Sequence, residues 1–76
     1  MTNITEAEAL ERAVEAVGSR AEIGRRLGIS QAAVQQWQRV PPLRVLEVER
    51  ISGVSRSLLR PDLYPPDPAE AQSVAG

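Results

Sequence analysis

Residues 20–39, RAEIGRRLGISQAAVQQWQR, decide how this chain folds. Ile23, Leu27, Ile29, Val34 and Trp37 are the apolar positions, and their spacing fits two short helices meeting at a Gly28-Ile29-Ser30 corner. Gly24 lies inside the first of them, at the point where the second has to pass close by. Gly28 stands where one helix stops and Ser30 where the next begins. Two helices around so tight a turn form a helix-turn-helix, whose second helix commonly lies in the major groove of DNA.

The flanking sequence is punctuated in the same way. Thr5 with Glu8 makes a capping box for a first helix over about 6–17, and Glu6 and Glu8 suit the positive end of its dipole. Leu10, Ala13, Val14 and Val17 share one face of that helix, and Gly18 ends it. Ser19 with Glu22 makes a second capping box, opening a helix from about Arg20 to Leu27. Ser30 caps a third helix that is expected to reach Arg39 before Pro41-Pro42 stops it. Pro42 suits the first turn of a fourth helix, continued over 43–52 and ended by Gly53, with Val45, Val48, Leu46 and Ile51 as inward positions. Ser55 caps one more turn through Leu58 and Leu59, until Pro61 breaks it. No strand signal and no internal repeat occur. The expectation is an all-α domain over residues 5–64, followed by a flexible, acidic, proline-containing tail over 65–76 (PPDPAEAQSVAG).

Seventy-six residues allow one small domain, and a domain of this size buries only about 60% of its unfolded surface. Phe is absent, and Trp37 and Tyr64 are the only aromatics, so Leu, Ile, Val and Ala must supply the core. The chain has no Cys and no His. That removes disulfides, the usual zinc ligands and the usual general base, so no catalytic residue, metal or cofactor is expected. No apolar run approaches the ~18 residues of a membrane span, and the start lacks the layout of a signal peptide. A cytoplasmic bacterial or phage protein is expected.

The formal net charge of −1 conceals a segregation along the chain. Residues 1–19 carry four Glu against Arg12, a balance of −3. Residues 20–60 carry eight Arg against Glu22, Glu47 and Glu49, a balance of +5. Residues 61–76 carry Asp62, Asp67 and Glu70, another −3. The local field within a Debye length of ~10 Å, not the total, steers a protein to phosphate. Every basic residue is Arg. Bidentate phosphate contact favours that choice, and a GC-rich genome would produce it equally well.

Along the third helix, Ser30, Ala33, Val34 and Trp37 fall on one side. Ala32, Gln35 and Arg39 fall opposite, flanked by Gln31 and Gln36. A Gln amide can bond an adenine edge at two points, and a small Ala can meet a thymine methyl. Gln31, Ala32, Gln35 and Gln36 are therefore the candidate base contacts. Ser30, Arg39, Arg44 and Arg20 are the candidate phosphate contacts. A merely solvated Gln-rich face is the plain alternative. Trp37 is expected in the core, and Gln38 toward the rim. Arg25 and Arg26 are expected on a solvated face, and Arg50, Arg56 and Arg60 in pairs with Glu47, Glu49 or Asp62.

The LGIS corner, the AAVxxW helix (Ala32, Ala33, Val34, Trp37) and the LRPDLY end (Leu59 to Tyr64) together resemble the YdaS/Cro-like group of phage and prophage regulators, over residues about 10–64. The chain departs from the group's pattern at Pro41-Pro42-Leu43 and at the short Gly53-Val54 connection. The resemblance implies a small Cro/lambda-repressor-like helix-turn-helix bundle of four to five short helices. It also implies a sequence-specific, double-stranded-DNA-binding transcriptional regulator of the repressor type. Members of the group are often labelled antitoxins.

One such domain makes few base contacts, so a homodimer on two half-sites is expected, with Leu58, Leu59, Leu63 and Tyr64 either at its interface or in the core. The alternative is a protein-interaction module that binds a toxin or another protein partner through the acidic tail or the first helix. An enzyme is the least expected class.

Overall fold

The computed structural model describes residues 4–65. In chain order the elements are α1 (Glu6–Val17), α2 (Arg20–Leu27), α3 (Gln31–Gln35), a 3-10 turn (Pro42–Arg44), α4 (Val45–Ser52) and α5 (Arg56–Leu59). The described residues contain no strand, so the fold is all-α. The acidic tail expected beyond Pro65 lies outside the described residues.

Four of the five helices start where their sequence signal stands; the exception is α4, expected to begin at Pro42, where residues 42–44 form a 3-10 turn and the α-helix begins at Val45 without a side-chain cap. The Thr5 side chain accepts from the Glu8 N–H at 3.0 Å, and the Thr5 N–H donates to Glu8 Oε1 at 2.8 Å, which completes the capping box of α1. At α2 only half of the expected box forms. Ser19 Oγ accepts from the Glu22 N–H at 3.0 Å, but the Glu22 carboxylate turns away to Arg25 and Arg26. Two guanidiniums outbid one backbone amide for it. Ser30 and Ser55 cap α3 and α5.

The core gathers Ala9, Leu10 and Ala13 from α1, Val40 from the segment before the 3-10 turn, Val45 and Val48 from α4, and Leu59 from α5. Ile4, Val14, Leu27, Trp37, Val54 and Tyr64 pack around it, while Ile23 and Val34 are fully buried where α2 meets α3. One expectation changes here, and one open alternative closes. Leu46 is 48% exposed, because Val45 and Val48 take the inward face of α4 and Leu46 falls on the flank away from Val48. Leu59 is completely buried, so it belongs to the core and cannot form part of a dimer interface.

The buried arginine Arg60 fastens the C-terminal end. Its Nη1 donates to the Val40 carbonyl at 3.0 Å, while Nε and Nη2 fork onto Asp62 at 3.0 and 2.8 Å. Hydrogen bonding from Arg60, outweighing a desolvation that opposes it, holds the Asp62 carboxyl at about 2 against an ordinary 3.8.

The α2–α3 corner depends on two glycines. Gly28 adopts a left-handed conformation, φ 75° and ψ 29°, which reverses the chain after α2. Gly24 is buried beneath the turn, and a Cβ there would come within 2.9 Å of the Ile29 carbonyl oxygen and 3.3 Å of that of Ser30. Both atoms are backbone and cannot rotate away. Gly24→Ala should therefore push α2 from the corner and lower stability by about 1–3 kcal/mol in a thermal or urea melt. Asp62→Asn should weaken the fold at neutral pH and leave acid unfolding less steep. A depressed carboxyl stabilises above its unfolded value of 3.8 and loses that contribution as pH falls through about 2, so the two proteins should converge across that interval.

Candidate nucleic-acid interface

The surface in question is the outer side of α3. Ala33 is half-buried, Val34 is fully buried and Trp37 is packed against the core, so this side of the segment is spent on anchoring. Gln31, Ala32, Gln35 and Gln36, the four candidate base contacts, are all exposed and therefore share the opposite side. None of the three Gln side chains bonds to another described residue. The four present an apolar methyl and three amides, each amide able to donate and accept.

Helix α3 is shorter than the sequence suggests. It ends at Gln35, not Arg39, and Gln36 closes it with φ −81° and ψ −9°. The chain then tightens, with the Trp37 N–H donating to the Val34 carbonyl three residues back. Two constraints stop the helix. Val40 must descend into the core, and a residue before proline is driven toward extended backbone. Arg39 consequently leaves the face that carries Ala32 and Gln35, and stands on an irregular rim after the helix.

Each of the four candidate phosphate-contacting residues has an internal partner. Ser30 Oγ accepts from the Ala33 N–H at 3.1 Å, its capping bond. Arg39 is half exposed and pairs with Glu6 at 3.2 Å. Arg44 is about one-third exposed and pairs with Glu47 at 3.1 Å. Arg20 differs from these three. Its side chain is 22% exposed, Nη1 donates to the Val34 carbonyl at 2.7 Å and the Trp37 carbonyl at 3.3 Å, and Nη2 meets Glu11 at 3.0 Å. The Val34 carbonyl, which already accepts from the Trp37 N–H, gains a second donor in the first residue of α2, and the Trp37 carbonyl just past the end of α3 finds there its one donor among the described residues. Taking Arg20 to a phosphate would leave the Trp37 carbonyl without its donor and remove the second one from Val34, so the geometry fits a positioning role behind α3.

The charge segregation along the sequence is partly undone in space. Glu6 and Glu11, from the acidic first segment, fold onto Arg39 and Arg20. Asp62, from the acidic end, folds onto Arg60. Arg25 and Arg26 share Glu22, whose carboxyl is held below its ordinary value chiefly by hydrogen bonds from Arg25 and then Arg26. Arg56 holds Glu49 down as well, foremost through its backbone N–H. Among the described residues, Arg50 and Arg12 have no carboxylate partner. The carboxylate partners Glu6 and Glu11 were missed by sequence reading, since both lie on α1, away from Arg39 and Arg20 along the chain, and Glu47, expected to pair with Arg50, Arg56 or Arg60, pairs with Arg44.

Of the residues proposed for a dimer surface, Leu58 and Leu63 are 40% and 45% exposed. Tyr64 is half-buried, with the Arg56 guanidinium 5.6 Å from its ring centre. Among the described residues, no group of three or more acidic, His or Cys side chains could hold a metal, and no helix is long and apolar enough to cross a membrane.

Arg20→Met keeps the apolar stem and removes the fork. It should cost about 1–3 kcal/mol through the orphaned Trp37 carbonyl and the bond lost at Val34, and hydrogen exchange should quicken at the amides of 34–37 before it does in α1.

A family model described as bacterial toxin YdaS matches residues 10–68, from within α1 to beyond Tyr64. No curated protein and no solved structure matches the chain. The matched span includes the LGIS corner, the AAVxxW helix and the LRPDLY end, and it takes in well over half of the sequence. The chain belongs to the YdaS toxin family.

Proposed function

We propose that this chain is a sequence-specific double-stranded-DNA-binding transcriptional regulator of the repressor type. One observation carries the reading: α2, the Gly28–Ser30 turn and α3 hold Gln31, Ala32, Gln35 and Gln36 exposed together on a helix whose other side is fixed to the domain. These four read base edges in the major groove. Ser30, Arg39 and Arg44 contact the flanking phosphates, and Arg20 positions α3 from behind.

A five-residue α3 is only about 7.5 Å long, so a single domain reads few base pairs. Useful affinity then calls for a homodimer on half-sites about one helical turn, ~34 Å, apart. Releasing an arginine from its carboxylate offsets part of what a phosphate contact provides, which keeps affinity per domain low and strengthens the case for two copies.

The description of the matched family as a bacterial toxin favours a second reading, in which the chain acts through a protein partner. The two separate on the same variants. Any growth arrest caused by expressing the chain disappears with the α3 substitutions if it acts through DNA, and persists if it acts through a protein bound elsewhere.

Binding to duplex DNA flanking its own gene, followed by gel shift beside sedimentation, tests the first reading. Gln35→Ala or Gln36→Ala should cost ~1–3 kcal/mol at the preferred sequence and flatten the difference between sequences. Arg44→Gln should weaken all duplexes alike and reduce the slope of log affinity against log salt by about one. Unchanged binding and selectivity in both would mean that α3 is not the reading element.

A further inference from the structure

Arg39 stands on the rim after α3, yet its carboxylate partner comes from the other end of the domain. Its Nη1 lies 3.2 Å from Oε1 of Glu6, in the first turn of α1. This is the guanidinium's only hydrogen bond to a described residue, so its remaining donors are uncommitted. Oε2 of Glu6 lies 3.9 Å from Nε of Arg60, which is buried and already forked onto Asp62. The Glu6 carboxylate is thus held between two guanidiniums, one fixed in the interior and one at the surface. An open cleft lined by Thr5, Glu6, Ala7, Gln38 and Arg39 lies beside the pair.

We infer that Glu6 is an attenuator of nucleic-acid affinity: in the free protein it occupies the guanidinium that a backbone phosphate takes in the complex. The inference rests on the DNA-binding reading above. Binding at Arg39 is then an exchange of anions. A phosphate can engage two donors of the planar fork where Glu6 engages one. When Arg39 leaves, Glu6 keeps a longer contact, 3.9 Å, with the Arg60 guanidinium, whose charge is already matched by Asp62. Glu6 is partly exposed, so water takes up part of the solvation that Arg39 gives up, and the carboxylate left beside the phosphate limits the gain.

The Arg44–Glu47 pair differs in kind. Its members are three residues apart at the start of α4 and move together. Glu6 and Arg39 are 33 residues apart, so their pair couples the placement of α1 to the rim of the interface. The capping box at Thr5 and Glu8 fixes the first turn of α1 and holds Glu6 in reach.

The test is a double-mutant cycle on the full chain, with a random-sequence DNA duplex as the probe and thermal melts to show that each variant is folded. Glu6→Gln should tighten binding about two- to fivefold at low salt, the scale of releasing one exposed ion pair, and should steepen the salt dependence. Glu6→Asp, which draws the charge back by one methylene, should fall between wild type and Glu6→Gln. In an Arg39→Gln background Glu6→Gln should leave affinity unchanged. Wild-type affinity in Glu6→Gln overturns the inference alone, as does an equal gain in the Arg39→Gln background, which would show general repulsion. If neither wild type nor Glu6→Gln binds duplex at low salt, the DNA-binding reading fails and this inference falls with it.

Discussion

The guanidinium of Arg20, laid across the carbonyls of Val34 and Trp37, is the interaction on which the exposed face of this domain depends. A helix of five residues cannot sustain itself, since isolated helices shorter than ~12 residues are marginal in water. The start of α3 is secured by Ser30, and its side by the close approach of the corner to Gly24. Its end is closed by Gln36 and braced from α2 by Arg20. Glu11 holds the far side of the same guanidinium, so α1, α2 and α3 meet at one charged group. No buried side-chain nitrogen or oxygen among the described residues lacks a partner, which suits a core too thin to tolerate one.

Much of the stability logic in this chain is carried by arginine, not by aromatic packing. The largest fully buried side chains are Leu10, Ile23 and Leu59. Arg60 does work that a larger domain would give to apolar contact, tying Val40 and Asp62 together at the base of the bundle. Arginine serves for this because its planar fork can satisfy a carbonyl and a carboxylate at once, and its stem packs like an aliphatic side chain. The same residue type therefore appears in two settings. Arg20 and Arg60 are enclosed and multiply bonded, whereas Arg39 and Arg44 are more exposed and each carries one bond to a carboxylate.

The sequence foretold what is local and lost what is distant. Thr5, Ser19, Ser30 and Ser55 mark helix starts because a cap is settled within three residues of itself. Gly24 and Gly28 were readable for the same reason: the lack of a side chain matters at the place where it occurs. The length of α3 was not readable, because helical spacing continues through Trp37 while the pull that ends the helix comes from Val40 entering the core and from a guanidinium 14 residues upstream. The internal bonds of Arg20 were hidden on the same account. Position in a motif suggested an outward task, and only the folded chain shows which carbonyls lie under it. Leu46 was misplaced, and Leu59 left between core and interface, for a simpler reason: a short helix offers several apolar residues, and periodicity alone does not say which face meets the neighbours. The acidic segments looked remote from the basic one until folding brought Glu6, Glu11 and Asp62 across.

The amides on the outer side of α3 have one more consequence. Gln31, Gln35 and Gln36 hold nothing together: no described residue relies on them for a bond, and the anchoring of their helix is entrusted to Ser30, Val34 and Arg20. Substitutions there change the chemistry displayed while the scaffold beneath stays intact. Inherited variation can accumulate at these positions with little penalty in folding, and related chains could diverge in what they recognise while keeping one architecture.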